Sequence, residues 1–144
     1  MKIIIGCDHG GYDLKNAVIK HLTEKGFEVE DKGCYEKKSC DYPEYGRAVA
    51  KAVANKEGDK GIVICTTGIG ISIVANKVKG IRAALCSDVT SAFLTRSHND
   101  ANVLAMGAGL IGENVALDIV DTFLSTEFSG EEKHVRRVGK IEAE

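Results

Sequence analysis

Short apolar runs alternate with stretches of helical spacing along the whole chain. Lys2–Ile5 ends in three isoleucines, Gly61–Cys65 reads GIVIC and Val103–Met106 reads VLAM. Unbroken runs of this length predict parallel strands buried on both faces. Ile81–Cys86 predicts a further strand. Phe27–Asp31 alternates apolar and acidic residues instead, which places that strand nearer a sheet edge.

Between the strands the apolar spacing is that of helices. Leu14, Ala17, Val18 and Leu22 mark Tyr12–Lys25, and Gly26 stops that helix. Pro43 suits the first turn of a second helix, which Tyr45, Ala48, Val49, Ala52 and Val53 carry to about Gly58. Ile71, Val74 and Ala75 mark a third, broken at Lys79-Gly80. Ser87 or Asp88 caps a fourth, which runs through Ala92 and Phe93 to Arg96–Asp100. Val115, Ile119, Val120, Phe123 and Leu124 mark a fifth. The tail from Gly130 to Glu144 is mostly charged, with a short helix over Glu131–Arg137. Five strands alternating with helices give right-handed βαβ units. The predicted class is α/β: a Rossmann-like three-layer sandwich with a five-stranded, mainly parallel sheet and helices on both faces. The order of the strands is not in the pattern.

Composition narrows the picture. A chain of 144 residues is expected to form one domain over 1–144. Apolar residues make up 44% and charged residues 28%, as in globular proteins. A net charge of -2 gives no reason to expect nucleic acid or a membrane surface as partner. No apolar run approaches the ~20 residues of a spanning helix. Three N-terminal isoleucines are too few for a signal-peptide core, so the expected compartment is the cytoplasm. Five cysteines without a CxxC spacing predict neither a disulfide framework nor a structural zinc site.

Two polar loops follow strands expected to run the same way, so both open on one edge of the sheet. The first brings Asp8 and His9. The second brings Cys65, then the hydroxyls of Thr66 and Thr67, then Gly68, Ile69 and Gly70 at the start of a helix. A helix N-terminus offers unpaired N–H groups and a positive dipole end, which suit an anion or a developing oxyanion. A thiolate there can act as base or nucleophile. Each residue also has a plain structural reading. Cys65 is then a buried strand-end cysteine, Asp8 a helix cap, and His98 a partner of a helix C-terminus. Arg136 and Arg137, with Lys133 and His134, read either as a solvated face or as a phosphate clamp. Walker A is absent, because no Gly-Lys-Ser/Thr follows the loop. Ile73 stands where a dinucleotide fingerprint needs its third glycine, so that site is a weak alternative.

Seven segments make the chain resemble a known family. They are Gly6–Tyr12 (GCDHGGY), Val29-Glu30-Asp31 with Gly33, Asp41-Tyr42-Pro43, Cys65–Gly70 (CTTGIG), Ala75-Asn76-Lys77, Gly80–Ala84 (GIRAA) and Ser97–Asn102 (SHNDAN). Together and in this order they resemble the type B ribose-5-phosphate isomerases, a family that also includes galactose-6-phosphate and allose-6-phosphate isomerases. The resemblance implies interconversion of ribose 5-phosphate and ribulose 5-phosphate, a step of the pentose phosphate pathway. The reaction runs through an enediolate, without metal or organic cofactor. It implies Cys65 as the base that moves the proton between C2 and C1, with Thr67 assisting transfer between the two oxygens. The amides of residues 66 to 70 hold the enediolate oxyanion, His98 opens the furanose ring and Asp8 helps. His9 and Asn99 contact substrate, and a cationic cluster with Lys133 and Arg137 holds the phosphate. It also implies a homodimer, or a dimer of dimers, with the site between two subunits.

Three positions depart from the family's pattern. Thr66 stands where its loop usually has Gly, and Gly109 and Lys133 stand where it often has Arg. A lysine keeps the charge without the bidentate fork. The Ser97-His98-Asn99 segment argues against the galactose-6-phosphate subunits. An isomerase of another phosphorylated or free aldose, such as allose 6-phosphate, stays open. So does a non-catalytic phosphosugar- or nucleotide-binding module, because fold alone does not fix function.

Overall fold

Successive residues of a strand point to opposite faces, and here both faces are apolar. In β1 (Lys2–Cys7), Ile3, Ile5 and Cys7 join one buried cluster and Ile4 the other. In β3 (Lys60–Cys65), Ile62 and Ile64 oppose Val63 and Cys65. In β5 (Val103–Gly107), Leu104 and Met106 oppose Val103 and Ala105. Such strands need a helix layer on each side. One layer is α1 (Tyr12–Glu24), α4 (Val89–Asn99) and α5 (Glu113–Ser125). The other is α2 (Tyr42–Ala54) and α3 (Ile69–Asn76). The computed structural model describes residues 1–143; Glu144, the end of the expected charged tail, lies outside the described residues.

The sheet is parallel throughout, in the order β2-β1-β3-β5-β4, with β2 at Glu28–Asp31 and β4 at Ala83–Leu85. The expected three-layer α/β sandwich is therefore present, and β2 takes the edge position its acidic alternation called for. The strand expected over Ile81–Cys86 is shorter than its apolar run. Ile81 is buried before the strand begins, and the Arg82 N–H donates to Asn102 Oδ1 at 2.8 Å rather than to a strand. As an edge strand β4 pairs only with β5. The tail helix α6 (Glu132–Ile141) runs further than expected, and Arg82 pairs with Glu142 just past its end at 2.8 Å. Among the described residues no helix is long and apolar enough to cross a membrane.

One polar contact inside the first layer escaped the pattern. Lys15 is fully buried in α1. Its Nζ lies 2.9 Å from both carboxylate oxygens of Asp31 at the end of β2, and it also donates to the Cys34 carbonyl. Asp31 Oδ1 accepts the Gly33 N–H at 2.8 Å as well. The pair fastens α1 to the edge strand and to the loop beyond it. A buried charge is tolerated only when its donors are all used. Lys15→Met keeps the volume but leaves Asp31, partly open to water, without its cation. The expected loss is about 2 kcal/mol, read from the urea midpoint, with an unchanged slope.

Candidate active site

The direction of chain progression across the sheet reverses between β1 and β3. From β1 the chain goes outward to β2; from β3 it goes the other way, to β4 and back to β5. Ligands of open α/β sheets bind outside the carboxyl ends of the strands at such a reversal. The two loops singled out by their polar residues leave from these two strands.

The first loop is seated on the second strand. Asp8 N–H donates to the Ile64 carbonyl at 3.2 Å. Asp8 Oδ1 accepts from Gly10 N–H at 2.9 Å and caps the single turn His9–Gly11. The capping reading of Asp8 thus holds for one oxygen, while the residue, only 6% exposed, also lines a pocket. His9 is exposed, and its Nδ1 accepts from Cys40 N–H at 3.2 Å, so Nε2 is the donor of the neutral ring.

The second loop is tied to the end of β5 by backbone hydrogen bonds. Ala108 N–H donates to Cys65 O at 2.9 Å and Gly109 N–H to Thr66 O at 2.8 Å. Gly68 caps α3 with φ 77°, a left-handed conformation that a side chain resists. A Cβ there would come within 2.7 Å of the Met106 carbonyl carbon. Gly107 meets the loop from the other side, where a Cβ would lie 2.4 Å from Thr67 O. The chain can pass this close only because both positions lack a side chain. Cys65 ends β3 and is 5% exposed. Its Sγ accepts from Gly68 N–H at 3.1 Å, and Thr67 Oγ1 accepts from Ile69 N–H at 3.1 Å. A thiol and a hydroxyl are thereby fixed at the positive end of a helix.

These residues line a pocket of about 360 Å³ that contains Asp8, Cys65, Thr66, Thr67, Ile69 and Gly70. Tyr42 completes it. Its ring lies over Gly70, where a Cβ would stand 2.6 Å from the aromatic carbons. Tyr42 was quoted above only within Asp41-Tyr42-Pro43; an exposed aromatic just before a helix-starting proline was the signal for a lining role. All five cysteines are free, and burial pushes the thiols of Cys7, Cys40 and Cys86 up. Among the described residues no group of three or more His, Cys, Asp or Glu side chains is placed to hold a metal ion.

The remaining expected residues lie elsewhere. His98 and Asn99 end α4, which leads into the start of β5, so they stand at the amino-terminal edge of the sheet. Arg82, just before β4, donates from Nε to the Asn99 carbonyl at 3.1 Å. The His98 ring stacks on His134 of α6, whose Lys133 and Arg137 are exposed. A six-residue strand spans about 20 Å, and that length separates this group from Cys65 and Asp8. Within one chain the expected site is therefore two half-sites. A larger cavity, about 680 Å³, also lies at this far edge, against Arg82 and Asn99, away from the thiol.

Two of the departing positions touch each other. A Cβ at Gly109 would lie 2.9 Å from Thr66 Cγ2. The Thr66 methyl occupies the place where a side chain at 109 would begin, so the two departures act as one change.

The β4 side of the sheet is apolar and open. Leu85 of β4, Ile69 and Ile73 of α3, and Val89 and Phe93 of α4 are each more than two-fifths exposed. The two helices lie on opposite faces of that edge. An exposed apolar patch of this kind marks a contact surface.

Pocket and loop at the reversal point of a doubly wound sheet define a small-molecule site. The sequence model of the ribose/galactose isomerase family matches residues 3–141, and the chain belongs to that family. It is an isomerase. Ribose-5-phosphate isomerase B of Escherichia coli K12 is 51% identical over 142 residues, covering 99% of this chain and 95% of that one. The solved ribose-5-phosphate isomerase B of Clostridium thermocellum superposes with a TM-score of 0.98 at 55% identity, over 99% of this chain and 96% of that one. The ribose 5-phosphate isomerase of Thermotoga maritima gives 0.96 at 49% identity, over 99% and 98%.

If the loop's backbone path sets the position of Sγ and Thr67 Oγ1, Gly68→Ala displaces both. Isomerase activity is expected to fall about 10²-fold, the scale of a 1 Å misplacement. Circular dichroism should show the secondary structure intact.

Proposed function

We propose that this chain interconverts ribose 5-phosphate and ribulose 5-phosphate through a cis-enediolate. The observation that carries the reading is Cys65: a strand-end sulfur that accepts an amide N–H at the start of α3, in a pocket with Asp8 and Thr67. The name of the Escherichia coli relative supports the substrate. In this reading the Cys65 thiolate takes the proton from C2 and returns it to C1. Thr67 passes the hydroxyl proton between O2 and O1. The amides of residues 66 to 70 hold the negative charge of the enediolate, where a donor contributes most. A positioned base contributes about 10²–10⁴ in rate. Isomerisation moves one proton between carbons and one between oxygens, so it consumes no redox equivalent.

The far half-site supplies the rest from a second copy of the chain. His98 opens the ring, Asn99 contacts the sugar, and Lys133 with Arg137 takes the phosphate, while His9 contacts the sugar from the loop that carries Asp8. Two observations support this arrangement. The half-sites stand at opposite edges of one chain, and the apolar β4 side offers a surface for a copy to cover. A homodimer, alone or paired into a tetramer, then brings the two edges together. Within each subunit, residues 1–144 act as a single domain.

A second substrate reading rests on the Thr66–Gly109 contact. With no cation at 109 and a methyl in its place, the pocket also fits an aldose phosphate of different length, such as allose 6-phosphate.

Cys65→Ala is expected to lower kcat at least about 10³-fold while calorimetry finds sugar-phosphate affinity within a few-fold of wild type. Turnover within a few-fold of wild type would remove the thiol from the mechanism. A rate panel of ribose 5-phosphate, allose 6-phosphate, galactose 6-phosphate and the free sugars separates the substrate readings. Retained binding with no turnover of any of them would make the chain a binding module.

A further inference from the structure

His98 has a partner that the mechanism above does not use. The His98 and His134 rings stack with centroids 4.2 Å apart and planes 14° apart. His134 is the only buried residue of α6, 8% exposed, while Lys133, Arg136 and Arg137 around it are open to water. The loop leading into the helix is held against α4 by Ser129 N–H, which donates to the Ser97 carbonyl at 3.1 Å. The helix turns its one buried side chain onto the residue assigned to ring opening.

Three charged groups at and just before α6 act on the His134 ring: Glu131, Lys133 and Arg137. Burial, then the charge on His98, push the His134 imidazole below its ordinary range; Glu131 opposes this, and Lys133 and Arg137 add to it.

We infer that His134 is a positioning residue: its ring, stacked on His98, fixes the plane of the His98 imidazole. This rests on the reading of His98 as the ring-opening group. In that step His98 gives its proton to the ring oxygen and the bond from that oxygen to C1 breaks. The proton on the C1 hydroxyl passes to Asp8 of the facing subunit, leaving the open-chain aldehyde. Solvent then restores both groups. A tilted or deprotonated His98 would fail at the first transfer, whereas binding of the phosphate would be untouched.

The test compares His134→Ala, His134→Phe and His98→Asn on ribose 5-phosphate. His134→Ala is expected to lower kcat about 10- to 100-fold with KM within about threefold, because only the orientation of His98 is lost. His134→Phe restores a flat stacking ring and should recover kcat to within about threefold of wild type. The inference is overturned if His134→Ala raises KM and spares kcat, which would make His134 a phosphate ligand. It is also overturned if His134→Ala leaves both constants unchanged. Should His134→Ala not fold, the Phe variant decides: a kcat more than about tenfold below wild type in a folded His134→Phe overturns the inference. An inactive His98→Asn beside a fully active His134→Ala would sink this inference alone; a fully active His98→Asn would sink the ring-opening reading with it.

Discussion

The structure depends on one close backbone contact. The loop after β3 lies directly on the end of β5, held by two amide-to-carbonyl bonds at 2.9 and 2.8 Å and admitted by the bare α-carbons of Gly68 and Gly107. No side chain mediates it, so no rotamer can loosen it. This contact fixes where Cys65 ends its strand and where α3 begins. The amides of Gly68 and Ile69 can then point at a sulfur and a hydroxyl rather than at solvent. The thiol and the hydroxyl are thereby positioned by the sheet itself.

The same topology that builds this half-site separates it from its complement. Helices returning from the carboxyl edge of a parallel sheet must end at the amino edge. His98 and Asn99, at the last turn of α4, are therefore carried a full strand length from Cys65. No local adjustment in one chain closes such a gap. The apolar residues on both sides of β4 are the physical counterpart: they leave one edge of the sheet unfinished in isolation. The proposed assembly of two copies would answer both facts with one surface.

Much of this was legible in the sequence, and the reasons differ by element. Buried parallel strands announce themselves by unbroken runs such as GIVIC, and edge strand β2 by its acidic alternation. The thiol loop was legible because its parts lie within six residues, and glycine spacing is local information. The seven matched segments extended that legibility to the family. Contacts between distant positions were not legible. Lys15 reads as a surface lysine on a helix until Asp31 is brought beside it. His98 and His134 are separated by α5 and its flanking loops, and nothing in either neighbourhood predicts a stack. The touching of Thr66 and Gly109 needed the chain path after β5. The end of β4 was overestimated because Ile81 is apolar for the α3 layer, not for the strand.

The central claim is that one complete site draws Cys65 from one copy and His98 from another. Co-expression of Cys65→Ala and His98→Asn chains bearing different affinity tags, with purification through both, gives the mixed dimer. Each single variant should be inactive as a homodimer. The account predicts that the mixed dimer regains about half of the wild-type rate, since one of its two sites then holds both native residues. A mixed dimer no more active than either homodimer would contradict it, because both residues would then have to come from the same chain.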